Sequence, residues 1–342
     1  MLLNKYLTPI LFLMQPLFSL NNEPGPACRD DRAIIEQIPK AELHLHLGGA
    51  YPLHYLLSIA SLKQQQELQA AINKIFQGVS YHEVFSVFQI VGQIVNTEEK
   101  VENGVKALCK HLENDHVTYV EIRTNIKDLG NGKESYLQSV LRGMQQSETE
   151  RFKARLLLSL QRSSTLEQAK TTVDLALKYR NQGVVGIDIS GDSTKGQIET
   201  IIPELLRAKH EGLFLTLHIG ESPLEQNQRQ LLETLKPDRI GHAVHLSPDA
   251  WKWVKENRIP LEVCLTSSVL VKMVSSYAEH PGLRYFAEGY PIAICTDDPL
   301  IFHTTCTNEL LNLFRCKSLS LEDIFEISKN SFDYTFLKTT FN

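Results

Sequence analysis

AELHLHLGGAYP, residues 41–52, decides how this chain is read. Two histidines, His44 and His46, stand one residue apart in an apolar run that stops at a glycine pair. Alternate residues of a strand face the same side, so ELHLHL (42–47) reads as a strand that presents both imidazoles together. A strand also buries or solvates two histidines for packing reasons alone, so the pair by itself leaves metal binding and structure open. The rest of the chain separates the two.

Seven further runs rich in Leu, Ile and Val follow: YVEIRTN (119–125), ARLLLSL (154–160), VVGIDIS (184–190), LFLTLHI (213–219), RIGHAVH (239–245), IPLEVCLTS (259–267) and IAICTDD (292–298). Several are almost continuously apolar, as strands buried on both faces are. Amphipathic stretches separate them, among them TLEQAKTTVDLALKYRNQ and IETIIPELLRAKHEG, the second closing on a glycine. Eight strands alternating with helices predict an α/β fold, a (β/α)8 TIM barrel, with a doubly wound open sheet as the alternative. The interval between the first two strands, residues 48–118, is far longer than the others and predicts a helical insertion after strand 1. It contains YHEVFSVFQIVGQIV, with Phe85 and Phe88 at helical spacing. Most of it is expected to pack on the end of the barrel. Barrel sites open where strands end, so Phe85 and Phe88 are also candidates for a pocket wall.

The formal net charge of −5, with no run of Lys or Arg interleaved with aromatics, argues against a nucleic acid polymer as partner. Six cysteines occur without a C-x-x-C pair, and Cys264 and Cys295 lie in apolar runs, so reduced structural thiols are expected. Before the first strand, Leu7 to Leu20 is apolar but broken by Pro9 and Pro16, and too short to span a bilayer. Residues 1–28 are therefore read as an N-terminal extension, with a signal segment as the alternative, and residues 29–342 as a single barrel domain. A cytoplasmic location is expected, export being the alternative, and nothing in the residues sets an oligomeric state.

Polar residues gather at one end of the predicted strands. His218 and Glu221 close strand five in LHIGES, His242 lies in strand six, Asp297 and Asp298 close strand eight in CTDDP, and Gly191 follows strand four. A barrel brings those ends around one mouth, and packing histidines have no reason to choose the same end. His44, His46, His218 and Asp297 form a nitrogen-rich set that suits zinc, one ion per chain, with water completing the shell. Bound zinc lowers the pKa of water from about 16 towards 7, so metal-activated hydrolysis is the chemistry expected. Asp298 and His242 remain to orient the water and take its proton, and Glu221 to act as general acid. Each has a plainer reading alone: Asp297-Asp298-Pro299 as a turn or cap, His242 as a core histidine, Glu221 as a loop residue, Gly191 as a turn glycine.

With those motifs in order, as ELHLHL, SGD, HIGE, IGHAVH and CTDDPLIF, the chain resembles the adenosine deaminase family over roughly residues 36–336. The resemblance implies a barrel with zinc held by His44, His46, His218 and Asp297. It further implies Glu221 protonating purine nitrogen 1, His242 and Asp298 handling the attacking water, and the Gly191 amide contacting nitrogen 3; His46 and Asp298 also border the substrate. Adenosine deaminases proper usually carry an acidic residue after H-x-H-L, where this chain has Gly48. VVGIDISGD, DRIGH, RIPLEVCLTSS and YVEIRT look more like the subgroup that removes methylamine from 6-methylamino purine nucleotides. HIGE and TDDPLIF lean towards the adenosine enzymes.

The expected function is thus zinc-dependent deamination of adenosine to inosine and ammonia. The alternative is conversion of N6-methyl-AMP to IMP and methylamine. Either way the partner is a small purine nucleoside or nucleotide. Two further readings remain: another barrel amidohydrolase, whose binuclear members commonly need a lysine at the end of strand four where this chain reads IDISGD, and a noncatalytic purine-binding protein.

Overall fold

The computed structural model describes residues 27–76, 81–193, 196–317 and 319–337; most of the expected extension, residues 1–28, lies outside the described residues. Eight strands form: β1 Lys40–His46, β2 Val117–Thr124, β3 Lys153–Gln161, β4 Val184–Ser190, β5 Phe214–Ile219, β6 Arg239–His242, β7 Leu261–Val263 and β8 Ile292–Ile294. Each pairs in parallel with the next in chain order. Backbone bonds then join the last strand's exit to the first: the Asp297 N–H donates to the His44 carbonyl at 2.9 Å, and the His46 N–H to the Asp297 carbonyl at 3.0 Å. A doubly wound sheet reverses strand order at a switch point. This sheet does not, so the barrel is the fold and the open-sheet alternative falls.

The insertion after β1 is helical, as its patterning predicts: Leu53–Ile59, Leu62–Phe76, Tyr81–Ile94 and Glu98–Asn114. The last of these shows why. Thr97 caps it by accepting from the Lys100 N–H, and Glu98 and Glu99 sit in its first turn, where the helix dipole favours acidic groups. Val101, Val105, Leu108 and Leu112 fall on one stripe and are buried, each contributing about 1.5–3 kcal/mol. That stripe packs against β2 and the helix Lys133–Ser147.

Strands six to eight are shorter than the apolar runs predict. RIGHAVH pairs only through His242, IPLEVCLTS only over Leu261–Val263, and IAICTDD only over Ile292–Ile294. His242 and Asp297 take positive φ, 63° and 65°, which turns the chain out of the ladder. Leu265–Leu270 is a short buried helix, and an apolar run of that length does not distinguish such a helix from a strand. Cys109, Cys264, Cys295, Cys306 and Cys316 are free thiols. Among the described residues no helix is long and apolar enough to cross a membrane.

Candidate active site

Alternation along β1 turns Glu42, His44 and His46 to one side, and the carboxyl ends of β5 and β8 bring His218 and Asp297 against them. His46 Nε2 lies 3.1 Å from His218 Nε2 and 3.5 Å from Asp297 Oδ1, and His44 Nε2 lies 3.4 Å from the same Asp297 oxygen. The ligand atoms of His44, His46 and His218 all fall within 4.8 Å of one another, and so do those of His44, His242 and Asp297.

The hydrogen bonds behind the imidazoles fix their tautomers. His44 Nδ1 meets Glu262 Oε2 at 2.7 Å, and His218 Nδ1 meets the Ile189 carbonyl at 2.9 Å with Asp188 Oδ1 at 3.0 Å. A proton on Nδ1 leaves the His218 Nε2 lone pair facing the cluster; Asp297 and Glu262 hold His44 up at about 9, so a cation bound there would displace its Nε2 proton and give the arrangement metal-ligating histidines ordinarily show. His44 Nε2 is wholly buried and has no hydrogen-bond partner among the described residues. A buried polar atom left in that state is costly, and a cation taking the place of its proton at the convergence point would satisfy it. Burial holds His46 down to about 3 and keeps His218 below the usual histidine range, so both imidazoles are neutral and ready to donate a lone pair.

The remaining polar groups stand around this cluster. Glu221 Oε1 lies 3.7 Å from His242 Nε2. Burial first, then the charges of Asp297 and Glu225, push the Glu221 carboxyl up to about 8, so it carries its proton at neutral pH. Burial and the adjoining Asp297 likewise raise Asp298 well above the carboxylate range. Asp298 Oδ1 and His242 Nδ1 are buried without a hydrogen-bond partner among the described residues. One cavity is lined by His46, His218, Glu221, His242, Asp297 and Asp298. Gly191, Phe85 and Phe88 border the same cavity, the two phenyl rings 6.1 Å apart. All ten candidate residues thus fall at or around one concave site.

Two glycines are required, one by its backbone conformation and one by close approach. A Cβ on Gly191 would sit 2.4 Å from Gln161 Oε1, in a backbone already at φ +92°. A Cβ on Gly49 would lie 2.0 Å from Asp298 Oδ1, so the second glycine of LHLGG exists to let that carboxylate in.

The sequence reading missed the groups that hold the candidate ligands. Arg123 is fully buried and joins Asp188 at 3.0 Å, Glu262 at 2.9 Å and the Leu43 carbonyl at 2.6 Å. Asp188 also accepts from Ser159 Oγ, and Glu262 from Thr216 Oγ1 and Arg239 Nε. These bonds link β2, β4 and β7, which only the inside of a closed barrel brings together. Charged residues inside near-continuous apolar strands, as in VVGIDIS and YVEIRT, were the available signal.

The adenosine deaminase family model matches residues 39–340. The N6-mAMP deaminase of Arabidopsis thaliana is 32% identical over 332 residues, covering 88% of this chain and 93% of that one. An adenosine deaminase of Clostridium kluyveri is 31% identical over 317 residues, covering 89% and 91%. Among solved structures, Arabidopsis ADAL complexed with IMP superposes with a TM-score of 0.82 at 32% identity, covering 89% of this chain and 94% of that one.

Proposed function

This chain belongs to the adenosine deaminase family and is a hydrolase of C–N bonds, and we propose that its substrate is N6-methyl-AMP or a like 6-alkylamino purine nucleotide. The observation that carries this choice is Gly48. It borders the cavity, and a Cβ there would come within 3.1 Å of Phe88 Cδ1. A side chain at that position would need the Phe88 ring to give by a few tenths of an ångström, and with glycine there the position places no carboxylate that would repel a 5′-phosphate. The similarity to N6-mAMP deaminase and to a structure holding IMP supports the same choice. The similarity to an adenosine deaminase keeps adenosine as the second reading.

In this reading His44, His46, His218 and Asp297 hold one zinc ion, a donor set of three imidazoles and a carboxylate that suits that metal. Zinc supplies Lewis acidity that brings the pKa of water towards about 7. Glu221 donates its proton to a ring nitrogen of the purine, drawing electrons from carbon 6. The Gly191 N–H holds the far side of the ring. His242 and Asp298 orient the attacking water, and His242, kept neutral by burial, accepts its proton. A C–O bond forms at carbon 6, the C–N bond breaks, and a proton passes to the departing methylamine, leaving IMP.

A substrate panel of adenosine, AMP, N6-methyladenosine and N6-methyl-AMP tests the substrate. Turnover is expected to be greatest for N6-methyl-AMP, with methylamine as the second product. Preference for adenosine would reverse the proposal. Elemental analysis of the purified protein tests the metal, with about one zinc per chain expected from a single four-ligand set that leaves a position for water. Chelation should abolish turnover, and added zinc should restore it. Two metals per chain would point to a binuclear hydrolase instead.

A further inference from the structure

We infer that the C-terminal segment, residues 332–337, positions the metal site from the opposite end of the barrel, with Phe336 acting through Arg239 and Glu262 on His44. This rests on the metal reading above. Phe214 and Arg239 are the first residues of β5 and β6, so a segment that meets both lies where the strands begin. The histidine cluster lies where they end. Phe332, Tyr334 and Leu337 pack on a small core of Ala41, Leu43, Tyr119, Cys264, Ala293 and Cys295, which seats the segment against the strands.

Charge, beyond apolar contact, ties the segment to the site. Arg239 is buried, and the segment supplies two of its contacts: the Tyr334 carbonyl accepts from Nη1 at 2.8 Å, and the guanidinium carbon lies over the Phe336 ring, 3.5 Å from its centroid. Stacking on Phe214, with centroids 4.6 Å apart, holds that ring in place. The Phe336 N–H donates to Glu121 Oε1 at 2.6 Å, and Glu121 Oε2 accepts from Arg239 Nη2. A planar guanidinium gripped on its face and two of its nitrogens has its remaining Nε–H aimed by those contacts, and the target is Glu262 Oε1, 2.7 Å away. Glu262 carries the constraint onward. Its Oε1 also accepts from Thr216 Oγ1, while Oε2 meets His44 Nδ1 at 2.7 Å and Arg123 at 2.9 Å. The two oxygens share one rigid plane, so a turn of Oε1 after loss of Arg239 moves Oε2 away from His44. A histidine that loses its supporting carboxylate holds a metal less tightly.

The test measures zinc affinity by competition with a chromogenic chelator in the full-length wild type, Phe336→Leu, Phe336→Tyr and Arg239→Lys, with thermal unfolding of the metal-free proteins alongside. Phe152→Leu is the control, since Phe152 is also buried but no cation stands over its ring among the described residues. Phe336→Leu keeps apolar bulk without the ring face, and should weaken zinc binding at least about threefold, the scale of one lost cation–π contact. Arg239→Lys keeps the charge without the fork and reads the same link from a second residue; it should weaken binding about 10–100-fold. Phe336→Tyr, which retains the ring face, should bind zinc as the wild type does. Phe152→Leu should lower the unfolding temperature and leave zinc affinity alone. Wild-type zinc affinity in both Phe336→Leu and Arg239→Lys, or a loss in Phe152→Leu equal to theirs, overturns the inference and leaves the metal reading standing. A wild-type protein that takes up no zinc overturns that reading, and the inference with it.

Discussion

Glu221→Gln is expected to lower turnover at least about a hundredfold while the metal content stays that of the wild type, because a positioned general acid typically contributes about 10²–10⁴. Glutamine keeps the shape and burial of the side chain and removes only the transferable proton. The site is built to retain that proton: burial, then Asp297 and Glu225, raise the carboxyl to about 8, where an ordinary glutamate would be ionised at neutral pH. The sign of the pH dependence follows. The protonated form is present below about 8 and lost above it, so wild-type kcat/KM should fall as pH rises through about 8, and the residual activity of Glu221→Gln should lack that fall. Elemental analysis alongside the kinetics separates the roles. Loss of the metal in Glu221→Gln would make Glu221 a ligand, and a loss of turnover under tenfold would remove it from proton transfer.

Arg123→Ala is expected to cost about 3–5 kcal/mol of stability, the range for removing one member of a buried ion pair. The guanidinium holds two carboxylates, Asp188 and Glu262, with side chains of all three at 0% exposure. Water cannot reach those charges once the arginine is gone. Both carboxylates in turn hold histidines of the candidate metal cluster: Asp188 touches His218 Nδ1, and Glu262 touches His44 Nδ1. The same variant should therefore weaken metal affinity by about 10–100-fold, as loss of groups supporting metal ligands commonly does. Arg142 supplies the contrast. It pairs with Glu102 at a similar distance, 2.9 Å, but is 47% exposed, and Arg142→Ala should cost about 1 kcal/mol or less. Denaturant unfolding measures both, and equal small losses would show that the buried network does not hold the barrel together.

Several parts of this site were open to reading from residues alone, and the reason is local geometry. The period of two in ELHLHL places His44 and His46 on one side before any fold is known, and the termination of apolar runs in HIGE, IGH and TDDP places their polar residues at one end. The helix Glu98–Asn114 carries its own cap and stripe. The ends of β6, β7 and β8 were not readable in the same way. Residues beyond the last paired position, such as Cys264 and Leu265, are as buried as those within the strand, so hydrophobicity continues where the ladder stops.

By itself, then, the sequence determined the barrel class, the helical insertion and the candidate ligand set, because each is written in spacing over a few residues or in the repeated end of a strand. Tertiary structure alone decided which charges meet inside. Arg123 finds Asp188 across 65 positions and Glu262 across 139. Gly49 admits the Asp298 carboxylate, and Gly48 lies under Phe88, in each case from a distant part of the chain. Such pairings depend on how the strands close into a ring and how the insertion folds over it. No local period encodes that closure, so the groups that steady the candidate ligands and line the cavity beside Gly48 came into view only with the fold.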